Sequence, residues 1–299
     1  KLAALAAVVA ALALATGCMG TPMEARAGGI AIVAAENFWG SIAAQLAGSR
    51  AAVVSIIRNP ARDPHSYEPT AADARTLASA RLAIVNGVGY DPWASQLIAA
   101  NPTPGRVVLN VGTVVGASAG DNPHRWYDPA DVEKVANAIT ADLVRLDPKH
   151  ALYFDRRRAT FENTDLAAYH ALIAAIGARY AGVPVGASES IFALQAPSLR
   201  LRLITPYSFM KAVSEGTELT ASDVATAERQ VAERQIKVWI YNAQNSTPEV
   251  ERLAALARAH GIPVVTITET LSPVSDSFER WQVAQLKRIE AALHRATGR

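Results

Sequence analysis

The chain has 299 residues, half of them hydrophobic and only 6% aromatic, with a formal net charge of +2 and six histidines. Charges of both signs are scattered without basic blocks, which argues against nucleic acid as a partner. A single cysteine excludes any intramolecular disulfide, and no apolar run after the first has the ~20-residue length of a spanning helix.

Lys1 is followed by an apolar run from Leu2 to Thr16, the length of a secretory leader. The stretch "LATGCMG" then sets Gly17 before Cys18. A small residue before a lone cysteine reads as a bacterial lipoprotein cleavage site, although Ala15 stands where leucine is preferred. Ordinary leader cleavage with an incidental or buried thiol is the alternative. The lipoprotein reading is favoured because an exported chain rarely leaves one cysteine without a use. Residues 1–17 are therefore expected to be a signal peptide and 18–29 a lipid-tethered linker. The protein would be exported and held by its lipid on the periplasmic or cell-surface face of the membrane, but not integral. About 280 residues remain, enough for two lobes.

Apolar runs then alternate with helical patterns, which predicts an α/β fold. Strands are expected at 30–35, 52–57, 82–87 and 106–111, with helices between them, for example over 37–48 and 70–80. From residue 183 the scheme repeats, with strands in "VPVGAS", "LRLIT", "KVWIYN" and "IPVVTIT" and helices near 219–234, 247–260 and 276–296. The segment from Pro148 to Gly182 lacks an internal proline and carries an apolar stripe at Phe154, Phe161, Leu166, Tyr169, Ile173, Ile176 and Tyr180. If continuous, it spans on the order of 50 Å at ~1.5 Å per residue. The expected architecture is thus two similar lobes, 30–147 and 183–299, each a mainly parallel sheet flanked by helices. One long rigid helix, 148–182, joins them.

Four potential metal ligands follow the predicted strands. His65 lies in "RDPHSYEPT" after the second, His124 in "DNPHRWYDP" after the fourth, Glu189 in "GASESIF" and Glu269 in "TITETLSP". Ligand sites of open α/β sheets form outside the carboxyl ends of the strands, so strand ends that face each other would bring all four into one cleft. Pro64, Pro69, Pro123 and Pro129 stiffen the histidine loops, which lowers the entropy lost when an imidazole is fixed. Taken singly, each residue also has an ordinary structural role open to it. Tyr67, Trp126 and Asn242 are expected to line or support the site. His150, His170, His260 and His294 fall on helices and read as structural.

In chain order, "DPHSYEPT", "NGVGYDPW", "NPHRWYDP", "ASESIF", "TPYSFMKAVSEGTE", "VWIYNAQ" and "PVVTITETLSP" resemble the solute-binding proteins of bacterial metal-ion importers of the ABC type, the manganese/zinc-binding cluster with a helical backbone. The resemblance spans nearly all of the chain after the leader. It implies His65, His124, Glu189 and Glu269 as the ligands of a transported ion, Mn2+, Zn2+ or Fe2+, with a permease and its ATPase as partners and a monomeric chain. The third ligand is histidine in many zinc importers and glutamate in manganese or iron ones. Many zinc importers also carry a histidine- and acid-rich loop before the second histidine, where this chain has only "GASAGD".

An N2O2 set suits Mn2+, Fe2+ or Zn2+, because carboxylates bind through one oxygen or both. Two ionised glutamates also balance a divalent charge, which makes burial tolerable. The rival reading is a secreted metal-dependent hydrolase using the same ion. It is disfavoured because all four candidates look used as ligands and no H-E-x-x-H is present. A cleft for haem or an iron chelate lacks the expected arginines.

Overall fold

The computed structural model describes residues 29–61 and 63–299. The signal peptide, nearly all of the tether and the lipid-attachment site expected at Cys18 lie outside the described residues. Strands β1 (Ile30–Glu36), β2 (Ala51–Ile57), β3 (Leu82–Val85) and β4 (Val107–Asn110) form one sheet in the order β2-β1-β3-β4. Strands β5 (Pro184–Ala187), β6 (Arg202–Leu203), β7 (Val238–Asn242) and β8 (Val264–Ile267) form a second in the order β6-β5-β7-β8. Every pairing in both is parallel, so the two sheets share one topology.

The first lobe carries α1 (Asn37–Ala47), α2 (Ala71–Ala78), α3 (Pro92–Ala100), the short α4 (Val111–Val115) and α5 (Pro129–Leu146). Helices α6 (Ala151–Thr160) and α7 (Ala167–Arg179) run between the sheets, and α8 (Tyr207–Ser214), α9 (Ala221–Ala232), α10 (Pro248–Ala259) and α11 (Phe278–Thr297) belong to the second half. Their ends follow local chemistry. Thr70 and Asp73 form a capping box at α2, and the Thr220 and Thr247 hydroxyls accept the Asp223 and Val250 N–H groups in the first turns of α9 and α10.

The helix expected as one piece over 148–182 is segmented. A π-helical turn, Phe161–Asp165, separates α6 from α7. The apolar stripe explains it: five residues separate Phe161 from Leu166, a step out of phase with a 3.6-residue period. The Leu166 N–H bonds the Phe161 carbonyl at 2.9 Å, and this wider turn lets both side chains stay buried.

The C-terminal helix α11 packs along α7 and also reaches α1 of the first lobe. Ser41 accepts the Phe278 N–H at 2.9 Å, and Gln45 donates to Glu279 at 3.0 Å. One continuous apolar core thus runs through both lobes. Its shared layers fix how the two rows of strand ends face each other.

Candidate metal centre

The four expected ligands meet in one place. One donor atom from each of His65, His124, Glu189 and Glu269 lies within 4.8 Å of the other three. The His65 and His124 Nε2 atoms are 3.2 Å apart. His124 Nε2 lies 3.1 Å from Glu189 Oε1 and 3.8 Å from Glu269 Oε2, and His65 Nε2 lies 3.9 and 3.4 Å from the same oxygens. A tetrahedron with ~2.1 Å metal–ligand bonds has edges of about 3.4 Å, inside this range. Three of the four side chains are fully buried, and His65 is 18% exposed. Among the described residues no other such group of histidines, cysteines or acids is assembled.

The two lobes deliver their ligands differently. His65 sits in a tight turn, Pro64–Ser66, beyond β2, where the Asp63 carboxylate accepts the His65 N–H at 2.9 Å and Pro64 opens the turn. His124 ends a long loop after α4. Asn122 accepts from its backbone N–H and meets its Nδ1 at 2.8 Å, which presents Nε2 to the centre. The Trp126 ring packs edge-on against His124 at 5.2 Å and stacks on Phe38 at 3.8 Å.

Glu189 and Glu269 instead stand two residues beyond the ends of β5 and β8. Gly186 lets Trp239 lie against β5, since a Cβ there would come within 2.7 Å of the indole. The Gln244 side chain holds the Glu269 backbone by accepting its N–H at 2.7 Å. Ser214, at the end of α8, donates to Glu189 Oε1 at 2.6 Å, and Tyr90 donates to Glu269 Oε2 at 2.6 Å. Asn242, the last residue of β7, donates to both carboxylates. Of the three supporting residues expected from sequence, Asn242 and Trp126 touch the ligands. Tyr67 bonds Asp73 at 3.0 Å and packs on Trp93, which steadies the His65 segment against α2.

Tyr90, Ser214 and Asn122 are missing from the sequence reading. Tyr90 follows β3, so the strand-end rule points near it. Ser214 carries no comparable signal, because its place is set by how α8 packs.

Burial alone would lower the His124 pKa, yet the charge and hydrogen bonding of Glu189, joined by Glu269, hold it up at about 9. Burial would likewise raise Glu269, but the His65 charge, His124 and the Tyr90 hydroxyl hold it down at about 2. The Tyr90 hydroxyl is pushed well above its usual value, first by burial and then by Glu269, so it stays a donor. Without an ion, a proton on His124 partly balances the two acids.

A cavity of about 120 Å³, lined among others by His65, Gly89, Asn122, Ser190 and Tyr207, lies over the centre. Hydrogen bonds join the lobes to each other. Asn122 donates to the Ser190 carbonyl at 2.7 Å, Tyr127 to the Thr268 carbonyl at 2.8 Å, and Lys211 to the Gly120 carbonyl at 3.0 Å.

Residues 32–292 match the family described as zinc-uptake complex component A periplasmic, ZnuA. The chain belongs to this family. It is 31% identical over 149 residues to the manganese-binding lipoprotein MntA of Halalkalibacterium halodurans, covering 48% of this chain and 49% of that one. It is 26% identical over 246 residues to the iron-binding protein YfeA of Yersinia pestis, covering 77% of this chain and 67% of that one. Against the first of these the match thus spans about half of either length. The fold matches a Mn-bound point mutant of a periplasmic metal-binding protein from Candidatus Liberibacter asiaticus with a TM-score of 0.75 at 18% identity, covering 88% of this chain and 99% of that one. A crystal structure of ZnuA superposes with a TM-score of 0.69 at 22% identity, covering 90% and 99%. The hydrolase alternative finds no support among these relatives, which are named for binding or taking up metals.

Proposed function

We propose that the chain is the extracytoplasmic solute-binding component of an ABC importer. It captures a divalent transition-metal ion, Mn2+, Zn2+ or Fe2+, on His65, His124, Glu189 and Glu269 and passes it to a permease driven by its ATPase. One observation carries this reading: two nitrogens from one lobe and two carboxylates from the other converge on a common centre in a buried cleft. The two glutamates neutralise a 2+ ion, so the closed cleft holds a charge-balanced assembly. A bound ion takes the place of the His124 proton and ties the lobes together. Moving the imidazoles away from the carboxylates frees the ion, and the Asn122, Tyr127 and Lys211 bridges together with the Tyr90–Glu269 bond oppose that movement.

A water-activating enzyme needs an open coordination position and a free base. Here the carboxylates are already engaged by Ser214, Asn242 and Tyr90, so the arrangement serves binding instead. Cys18, once lipidated, anchors a monomer at the membrane surface. No helix among the described residues is long and apolar enough to cross a membrane. Titration calorimetry of metal-free protein with Zn2+ and Mn2+ tests the assignment. His65→Ala and Glu269→Ala each weaken binding strongly while circular dichroism stays unchanged. Undiminished affinity in both variants overturns it.

A further inference from the structure

Asn242 touches both acidic ligands at once. It is fully buried, and its Nδ2 donates to Glu269 Oε1 at 2.8 Å and, more closely, to Glu189 Oε2. The amide cannot turn round, because its Oδ1 accepts the Gln244 N–H at 3.0 Å. The opposite oxygens, Glu189 Oε1 and Glu269 Oε2, are the ones that face the imidazoles. Each glutamate therefore shows one oxygen to the centre and has the other drawn back onto the same amide.

A carboxylate chelates through both oxygens only when both face the ion. Held from behind, each glutamate supplies a single donor atom, and the protein offers two nitrogens and two oxygens. Ions that prefer six or more oxygen-rich contacts gain from bidentate carboxylates, whereas Zn2+ is satisfied by four ligands. We propose that Asn242 is a selectivity-determining positioning residue, which keeps both glutamates monodentate and so favours a four-coordinating cation of the Zn2+ or Co2+ class over Mn2+. This rests on the ion-site reading given above.

Intrinsic affinity already ranks Zn2+ above Mn2+, so the role of Asn242 is to widen that gap.

The test uses Co2+, whose visible absorption is intense when four-coordinate and weak when six-coordinate, together with Zn2+ and Mn2+ calorimetry on the same protein. The unsubstituted chain is expected to give the intense spectrum. Asn242→Leu, similar in size but without a donor, loses much of that intensity and narrows the Zn2+-to-Mn2+ affinity ratio by about tenfold, the scale of an outer-ligand change. Asn242→Ser, smaller and still a donor, falls between the two. A merely structural role would weaken both ions alike and leave the Co2+ spectrum intense. That outcome overturns the proposal, as does a weak spectrum in the unsubstituted protein, which needs no variant. Failure of the unsubstituted protein to bind any of the three ions overturns the ion site itself, and the two failures are thereby told apart.

Discussion

The first lobe reaches the centre with loops, and the second meets it with strand ends. His65 and His124 lie well beyond β2 and β4, on segments stiffened by Pro64 and Pro123, and His65 keeps 18% of its side chain exposed. Glu189 and Glu269 stand just past β5 and β8, fully buried, with every carboxylate oxygen taken by a donor. The difference follows from the side chains. An imidazole has two torsions and is oriented by one bond to its far nitrogen, so a stiff loop suffices. A glutamate has three torsions, and holding it in one geometry needs a rigid backbone and several hydrogen bonds. The oxygen half is thus preorganised, and the nitrogen half carries the one partly exposed side chain of the four.

The largest test of this contrast is a matched pair of substitutions. Glu269→Ala strips the Tyr90 hydroxyl of its acceptor, costs Asn242 one of its two, and leaves one acid facing a divalent ion. It should lower Zn2+ affinity by more than the ~100-fold that marks the upper range for residues behind the ligands. His65→Ala removes a partly exposed ligand that water can replace, and should cost less. Calorimetry of both variants checks the order, and equal losses would erase the asymmetry.

Next in size is pH. Metal-free His124 is held at about 9 and Glu269 at about 2. At pH 7 an incoming ion must displace the His124 proton, so affinity rises with pH up to about 9, with proton release visible in buffers of different ionisation heat. Stability of the metal-free protein runs the other way at the basic end. The raised pKa of His124 contributes stability that is complete below 6.5 and lost as pH rises through about 9. The depressed pKa of Glu269 contributes stability present above 4.5 and lost as pH falls through about 2. Thermal unfolding without metal should therefore peak between pH 4.5 and 6.5, and a maximum near pH 9 would contradict the charge arrangement.

A smaller effect is expected from Tyr90→Phe, which keeps the ring against His65 but removes the donor to Glu269. It should weaken binding by roughly tenfold without altering the fold, measurable by competition with a metal-sensitive dye. The smallest is Lys211→Ala. The lysine bridges to Gly120 at the rim, where solvent screens it, so equilibrium affinity changes little. Stopped-flow release to a chelator should quicken if this bridge helps hold the lobes closed.

Much of this was legible in the residues. Buried runs such as "IAIVAA" and "VWIYN" mark strands because parallel strands covered on both faces read as continuous apolar stretches. The four candidate ligands, which the fold brings together, stood out because they follow such strands, where open sheets expose side chains to a shared cleft. The segmentation of the connecting helix was partly written in the five-residue step from Phe161 to Leu166, which a purely α-helical reading passes over. Ser214 and Tyr90 were not singled out. A serine ending one helix carries no pattern of its own, the strand-end rule leads only to the neighbourhood of Tyr90, and packing decides which acid each meets.

Taken alone, the amino-acid order determined the periodicities, and hence two α/β halves, the stiff histidine loops and the placing of four candidate donor side chains just after strands. These are local properties, set by side-chain chemistry and spacing along the chain. Whether the two rows of strand ends would face one another was decided by α7 and α11 packing into a core shared by both lobes. The single amide standing behind both glutamates was likewise a product of the fold, since Asn242 becomes a neighbour of Glu189 and Glu269 only once β5, β7 and β8 lie side by side.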